Sequence, residues 1–111
     1  MLESKFYKTK VKKRLESWGY KVYRIETGGT AQAVPDVWAT KEGSQIWVEM
    51  KSMDNRKKIV TPKWEPGQVA FGKMCIKHGQ KWALMVMVGD RFMWTDVPKE
   101  SYNIEELQEI T

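Results

Sequence analysis

The chain has 111 residues and a formal net charge of +5, with 41% hydrophobic and 30% charged residues. This is the composition of one globular domain, and it excludes a disordered chain. No apolar stretch approaches the ~20 residues that span a bilayer, and no N-terminal segment resembles a signal peptide. The single cysteine, Cys75, excludes an internal disulfide. We expect one cytoplasmic domain, residues 1–111, without a membrane partner or a small-molecule cofactor.

The positive charge lies mainly near the N-terminus. Residues 1–24 carry eight basic and two acidic side chains, a net charge of +6, whereas residues 99–111 carry one basic and four acidic side chains. A basic N-terminal half suits a polyanionic partner such as nucleic acid. A solvated lysine-rich surface would have the same composition, so charge alone leaves both interpretations open.

The first half of the chain is predicted to form one helix followed by three strands. Residues 2–18 are predicted to form a helix that ends at Gly19, because large apolar side chains recur on one helical face: Tyr7, Val11, Leu15 and Trp18. Strands are predicted over residues 21–25, 37–40 and 45–51, where β-formers are frequent. A polar, basic loop follows over residues 54–65.

The second half begins with a predicted helix from Pro66 to about His78. An apolar strand over residues 82–88 and a strand over residues 91–94 are joined by the two-residue turn Gly89-Asp90. Asn103 and Glu106 suit the start of a short acidic helix. The order αβββαββ, with a helix between strands, predicts a mixed α/β fold whose central sheet is flanked by helices.

The strand over residues 45–51 carries the chemistry. Alternation places Trp47, Glu49 and Lys51 on one face of this strand and its other apolar residues on the opposite face. A carboxylate and an ammonium group thus point the same way at the end of a hydrophobic strand. Asp36 immediately precedes another strand, so Asp36 and Glu49 converge if the two strands are neighbours.

Two converging carboxylates suit Mg²⁺, which prefers oxygen ligands and keeps several waters. Such a metal can hold a phosphate oxygen and lower the pKa of a bound water, and Lys51 would orient that water or neutralise phosphate charge. Two further side chains are placed near the site by helix phase. Glu3 precedes the apolar stripe of the first helix, and Gln68 begins the inner face of the second.

Pro35-Asp36 followed by Glu49-Met50-Lys51 resembles the PD-(D/E)xK nuclease superfamily, with its restriction-endonuclease-like fold. The downstream Gln68 is similar to that of stand-alone phage VRR-NUC domains, and the layout is similar to that of small archaeal and viral Holliday junction resolvases. The resemblance implies Asp36, Glu49 and the Met50 carbonyl as Mg²⁺ ligands, with Mn²⁺ able to substitute, and Lys51 as the catalytic lysine. Glu3, as a further metal ligand, and Gln68, as a further catalytic residue whose amide could reach the metal-bound water or a phosphate, match weaker motifs.

DNA contacts are predicted on the first helix, the first strand and the basic loop: Lys10, Arg14, Arg24, Arg56, Lys57, Lys58, Lys63 and Trp64. Basic side chains would contact phosphates, and the tryptophan would stack on a base. For Trp64 the alternative is a ring folded back on the core. For Arg24 the alternative is a surface ion pair.

The resemblance and the small size favour an Mg²⁺-dependent endonuclease acting on branched DNA, of the Holliday junction resolvase type. Symmetric cutting of a four-way junction needs two sites, so we expect a homodimer. Phe6, Val69 and Ile76 lie off the predicted core stripes and are candidates for its interface. The alternatives are a restriction, nicking or flap nuclease, and a nucleic-acid-binding or inhibitory protein without turnover.

Overall fold

The computed structural model describes residues 2–25, 33–53 and 57–111. The first helix, α1, is α-helical over Glu3–Phe6, π-helical over Tyr7–Val11 and α-helical again over Lys12–Ser17. The second helix, α2, covers Gln68–Lys77. The two longer of the three predicted helices are therefore confirmed. Among the described residues, neither helix nor any other has the length and apolar character needed to cross a membrane.

The strands form one large and one small sheet. In chain order they are β1 (Lys21–Arg24), β2 (Val37–Lys41), β3 (Ser44–Met53), β4 (Ile59–Val60), β5 (Lys81–Val88), β6 (Arg91–Thr95), β7 (Tyr102–Asn103) and β8 (Gln108–Glu109). The large sheet has the order β1-β2-β3-β5-β6-β8, and β4 pairs with β7. All five predicted strands are present, and the three additional ones found in the described residues are each two residues long.

The pairing of β3 with β5 makes the sheet mixed. These two strands are parallel, with Glu49 opposite Leu84, whereas the other pairs are antiparallel. A parallel pair needs a crossover, and α2 provides it. The turn Gly89-Asp90 joins β5 to β6 as predicted, and Gly89 adopts a φ of +64°. The mixed, helix-covered sheet is thus confirmed.

Each face of the sheet packs against one helix. On one face, Tyr7 and Leu15 of α1 pack with Val48 and Met50 of β3. On the other, Cys75 of α2 packs with Leu84 and Val86 of β5, and Trp47 lies partly buried beside them. The alternation predicted for β3 is therefore confirmed, and it places Glu49 on the face that α2 covers.

The predicted dimer-interface residues are only partly exposed. Phe6 has 1% of its surface exposed and Val69 has 6%, so for these two the prediction is wrong, while Ile76 stays 48% exposed. A π turn brings residues five apart into line, which aligns Phe6 with Val11 and turns it toward the sheet. Val69 lies one helical turn before Gly72, on a side of α2 that Pro98 and Trp82 cover.

The C-terminal segment differs from the short helix predicted there. It forms one 3₁₀ turn over Ile104–Glu106 and then continues into β8. Glu106 Oε1 accepts a hydrogen bond from the backbone N–H of Asn103 at 2.9 Å, as the capping pattern indicated. The helix stops there because Gln108 and Glu109 pair with β6 at the sheet edge.

Candidate active site

Strand register brings Asp36 to Glu49. Val37 is paired with Val48 in the antiparallel β2–β3 ladder, so the next position sets Asp36 opposite Glu49. Side chains of directly opposed residues project from the same face of a sheet. Asp36 Oδ2 also accepts a hydrogen bond from the backbone N–H of Met50 at 3.0 Å. The register thus brings together the two carboxylates that the sequence singled out.

Glu49 is a fully buried carboxyl group. It has 0% of its surface exposed, and its Oε2 has no hydrogen-bond partner among the described residues. Burial, reinforced by the neighbouring carboxyl group of Asp36, raises the pKa of Glu49 to about 9, although Lys51 opposes this shift. A buried carboxylate needs positive charge nearby to ionise at neutral pH. A divalent cation between Asp36 and Glu49 would provide it.

Gln68 holds the other oxygen of Glu49. Its Nε2 donates to Glu49 Oε1 at 3.3 Å, and its Oε1 accepts from the backbone N–H of Glu65 at 2.8 Å. The second contact fixes the orientation of the amide, so the NH₂ group must face the carboxylate. The structure places Gln68 beside Glu49, and its side chain is 5% exposed.

Gly67 allows α2 to begin close to the Asp36 segment. Its φ is +85°, and a Cβ added there would lie 3.0 Å from the Cβ of Ala33. Both the backbone conformation and the close approach favour glycine. Gln68, the next residue, is thereby brought next to the strand ends that carry Asp36 and Glu49.

Lys51 lies at the same site but is held by the loop before α2. Its Nζ donates to the backbone carbonyl of Lys63 at 2.9 Å and lies 5.5 Å from the centre of the Trp64 ring. Because Glu49 and Lys51 are two residues apart on β3, the ammonium group and the carboxylate face the same side of the sheet.

Asp36, Lys51 and Gln68 border a cleft of about 360 Å³, and Glu49 is buried beneath it. The residues lining it include Glu3, Asp36, Met50, Lys51, Lys63 and Gln68. No group of three or more His, Cys, Asp and Glu side chains suited to a metal occurs in the described part of the chain. A two-carboxylate site still fits Mg²⁺, which is commonly bound through one or two carboxylates and several waters.

Glu3 lines the same cleft as Asp36, but within the described residues it does not join Asp36 and Glu49 in a three-acid metal group. Its Oε1 instead accepts a hydrogen bond from Arg24 at 3.3 Å, and both side chains keep part of their surface exposed. The guanidinium of Arg24 also lies 5.4 Å from the centre of the Tyr7 ring. Of the two interpretations of Arg24, the structure therefore contains the ion pair, which lies at the rim of the cleft through Glu3.

The predicted DNA-contacting residues are dispersed. Lys10, Lys57, Lys58 and Lys63 are exposed. Arg14 is half-buried, and its guanidinium donates to the backbone carbonyl of Thr111. Arg56 lies outside the described residues.

Trp64 adopts the folded-back alternative. Its Nε1 donates to the carbonyl of Glu100 at 3.0 Å, and its ring centre lies 6.4 Å from that of Trp82. The ring is half-buried. Base stacking in this position would require the ring to leave these contacts.

The sequence did not predict two of the contacts within the site. The carbonyl of Lys63 holds Lys51, and the N–H of Glu65 orients Gln68. Both are backbone groups, so no side-chain pattern could have indicated them.

The fold and the arrangement of the site residues together indicate a class of nuclease. A mixed sheet with Asp36 before β2, and with Glu49 and Lys51 on the adjacent β3, has the arrangement of a PD-(D/E)xK nuclease. The family model described as archaeal Holliday junction resolvase (Hjc) matches residues 5–103. The chain therefore belongs to the archaeal Holliday junction resolvase family. This confirms the prediction of a structure-specific DNA endonuclease.

A solved structure agrees on the fold. The chain is similar to Hjc from Archaeoglobus fulgidus, a Holliday junction resolvase from an archaeal hyperthermophile, with a TM-score of 0.67 and 11% identity over 93% of each chain. At this identity the likeness concerns the fold alone. No curated protein matches the chain significantly by sequence.

Proposed function

We propose that this chain cuts four-way DNA junctions by metal-dependent phosphodiester hydrolysis, with Asp36, Glu49 and Lys51 as its catalytic centre. The main support for this proposal is the environment of Glu49. Its fully buried carboxyl group faces Asp36 and has one oxygen without a hydrogen-bond partner among the described residues. Burying such a group in its ionised form destabilises a fold unless a compensating charge binds. Together with membership of a resolvase family, this favours a catalytic metal site.

Asp36, Glu49 and the backbone carbonyl of Met50 would hold Mg²⁺, with Mn²⁺ as a substitute. The donor set supports this choice, because it is made of oxygen atoms and contains no sulfur or imidazole. When bound, the cation supplies positive charge to the scissile phosphate and acidifies the attacking water. Gln68 keeps Glu49 in position through the bond from its Nε2.

Lys51 acts on the phosphate side of the site. Its ammonium group orients the attacking water and neutralises charge that develops on the phosphate. The carbonyl of Lys63 accepts one of its three N–H bonds, which leaves donors for the water and the substrate.

Basic side chains dispersed over the surface would contact the DNA backbone. Lys57, Lys58 and Lys63 belong to the segment before α2, and Lys10 and Arg14 lie on α1. Arg24 would exchange Glu3 for a phosphate, since both members of this ion pair are partly exposed. Each phosphate contact adds salt-dependent affinity without sequence preference.

The active form is proposed to be a homodimer inside the cell. A four-way junction is resolved by two symmetric cuts, and each chain carries one centre of this kind. Of the interface candidates, Ile76 keeps an exposed apolar side chain. A monomer by light scattering at micromolar concentration would contradict the dimer without affecting the catalytic assignment.

Cleavage of a panel of DNA structures tests whether four-way junctions are the preferred substrate. Wild-type protein is incubated with Mg²⁺ and end-labelled four-way, flap, duplex and single-stranded DNA, and the products are mapped on each strand. We expect paired cuts placed symmetrically about the junction. Faster cutting of flaps would instead favour the alternative of a flap or repair nuclease, and binding without cutting in either Mg²⁺ or Mn²⁺ would favour a non-catalytic DNA-binding protein.

A further inference from the structure

Trp64 lies where the loop before α2 meets Lys51. The sequence suggested a base-stacking role for this residue, yet its ring is half-buried. Its indole N–H donates to the carbonyl of Glu100 at 3.0 Å, and its ring lies beside that of Trp82, which is 1% exposed. The ring is therefore attached to the core at two points.

The same ring contacts Lys51. The Lys51 ammonium group lies 5.5 Å from the ring centre, within the range of a cation–π contact. It also donates to the carbonyl of Lys63, the residue before Trp64, at 2.9 Å. A tight turn, in which Trp64 N–H donates to the Pro62 carbonyl at 2.9 Å, connects these two contacts.

A lysine side chain has four rotatable bonds and many rotamers, so an unrestrained ammonium group samples positions far from the phosphate. The ring of Trp64 and the carbonyl next to it restrict Lys51 to the cleft. The restraint comes from the core, since Trp82 and the Glu100 carbonyl fix the ring.

We propose that Trp64 is a positioning residue for Lys51, and that its aromatic face, rather than a contact to DNA, is what the reaction requires. This inference rests on the proposed catalytic role of Lys51. Trp64 touches neither Asp36 nor Glu49 in the contacts described, so it acts on the reaction through the ammonium group.

Two substitutions distinguish the contribution of the aromatic face of Trp64 from that of its side-chain volume. Trp64→Phe keeps an aromatic face but loses the bond to Glu100, and Trp64→Leu keeps apolar volume but loses the face. Single-turnover cleavage of a four-way junction is measured at saturating protein, with junction affinity measured in Ca²⁺ or chelator. We expect Trp64→Leu to slow cleavage about tenfold or more with affinity within about threefold, and Trp64→Phe to stay within about threefold of the wild type in both.

A double-mutant cycle identifies the group through which Trp64 acts. In a Lys51→Ala background, Trp64→Leu should change the residual rate by less than about twofold. An equal loss of rate in both backgrounds would overturn the proposal. A fall in junction affinity of about fivefold or more, with the rate unchanged, would overturn it in favour of base stacking.

A structural readout does not depend on activity. In NMR spectra of protein with ¹³C-labelled lysine, the ε-methylene protons of Lys51, assigned by their loss in Lys51→Ala, should be shifted upfield by the Trp64 ring. The shift should remain in Trp64→Phe and vanish in Trp64→Leu, and its absence from the wild type would refute the contact. A Lys51→Ala variant that cuts junctions at the wild-type rate would refute the proposed function instead, which keeps the two failures distinguishable.

Discussion

Glu49→Gln should remove the pH dependence that the buried carboxyl group imposes on stability. Among the described residues, Glu49 is the buried carboxyl group, with a pKa raised from 4.5 to about 9. Between these values the native protein keeps a proton that the unfolded chain loses. The free energy of unfolding of the metal-free wild type therefore falls as pH rises through this window, and the loss is complete above the folded pKa.

The size of this pH effect on stability follows from the interval between the two pKa values of Glu49. One pH unit inside it corresponds to about 1.4 kcal/mol, so the contribution of Glu49 falls by about 2.7 kcal/mol between about pH 5.5 and about pH 7.5. For a domain of this size the shift in the thermal midpoint is on the order of 10 °C. Glutamine keeps an oxygen that can accept from Gln68 Nε2 but carries no titrating proton.

Urea unfolding in chelator at the two pH values measures this effect. The wild type should lose about 2–3 kcal/mol more stability than Glu49→Gln over that interval, since the other titrating groups are common to both proteins. Excess Mg²⁺ at the higher pH should restore stability to the wild type and have little effect on the variant. Equal pH dependence in the two proteins would refute the argument that Glu49 is held as a neutral acid.

Further predictions concern Gln68, the packing of α2 and the basic loop. Gln68→Ala should slow single-turnover junction cleavage about 10–100-fold, because Glu49 loses its donor; an unchanged rate would exclude this role. Gly72→Ala should cost about 1–3 kcal/mol in urea unfolding, because its Cβ would lie 2.8 Å from the Trp82 ring, whereas the exposed neighbour Lys73→Ala should be neutral within about 0.5 kcal/mol. Lys57→Ala should lower the salt-dependence slope of junction binding by about 1, and an unchanged slope would mean that no phosphate is contacted there.

The arrangement of the sheet and of the central carboxylates could be predicted because it follows from short-range rules. Alternation along β3 determines that Glu49 and Lys51 share a face, and the neighbouring β2 places Asp36 opposite Glu49. The buried strand β5 was evident from its continuous apolar run.

The features that escaped prediction depend on contacts that sequence spacing does not encode. The π turn in α1 changes the helical phase, which buries Phe6 and invalidates it as an interface residue. The pairing of Glu3 with Arg24 joins side chains from two elements. The sequence left two orientations of Trp64 open, and the choice between them depends on a backbone carbonyl 36 residues away.

Cleavage of a labelled four-way junction in Mg²⁺ by matched carboxylate variants tests the central claim most directly. Asp36→Asn and Glu49→Gln each remove one ionisable carboxyl group from the site, and Glu42→Gln removes one from the exposed β2–β3 turn at the other end of the hairpin. We predict cleavage by the wild type and Glu42→Gln at similar rates, and a loss of about 10³-fold or more in both site variants with junction binding retained. Wild-type cleavage rates in Asp36→Asn or Glu49→Gln would contradict the account, because the reaction would then proceed without the carboxylate pair.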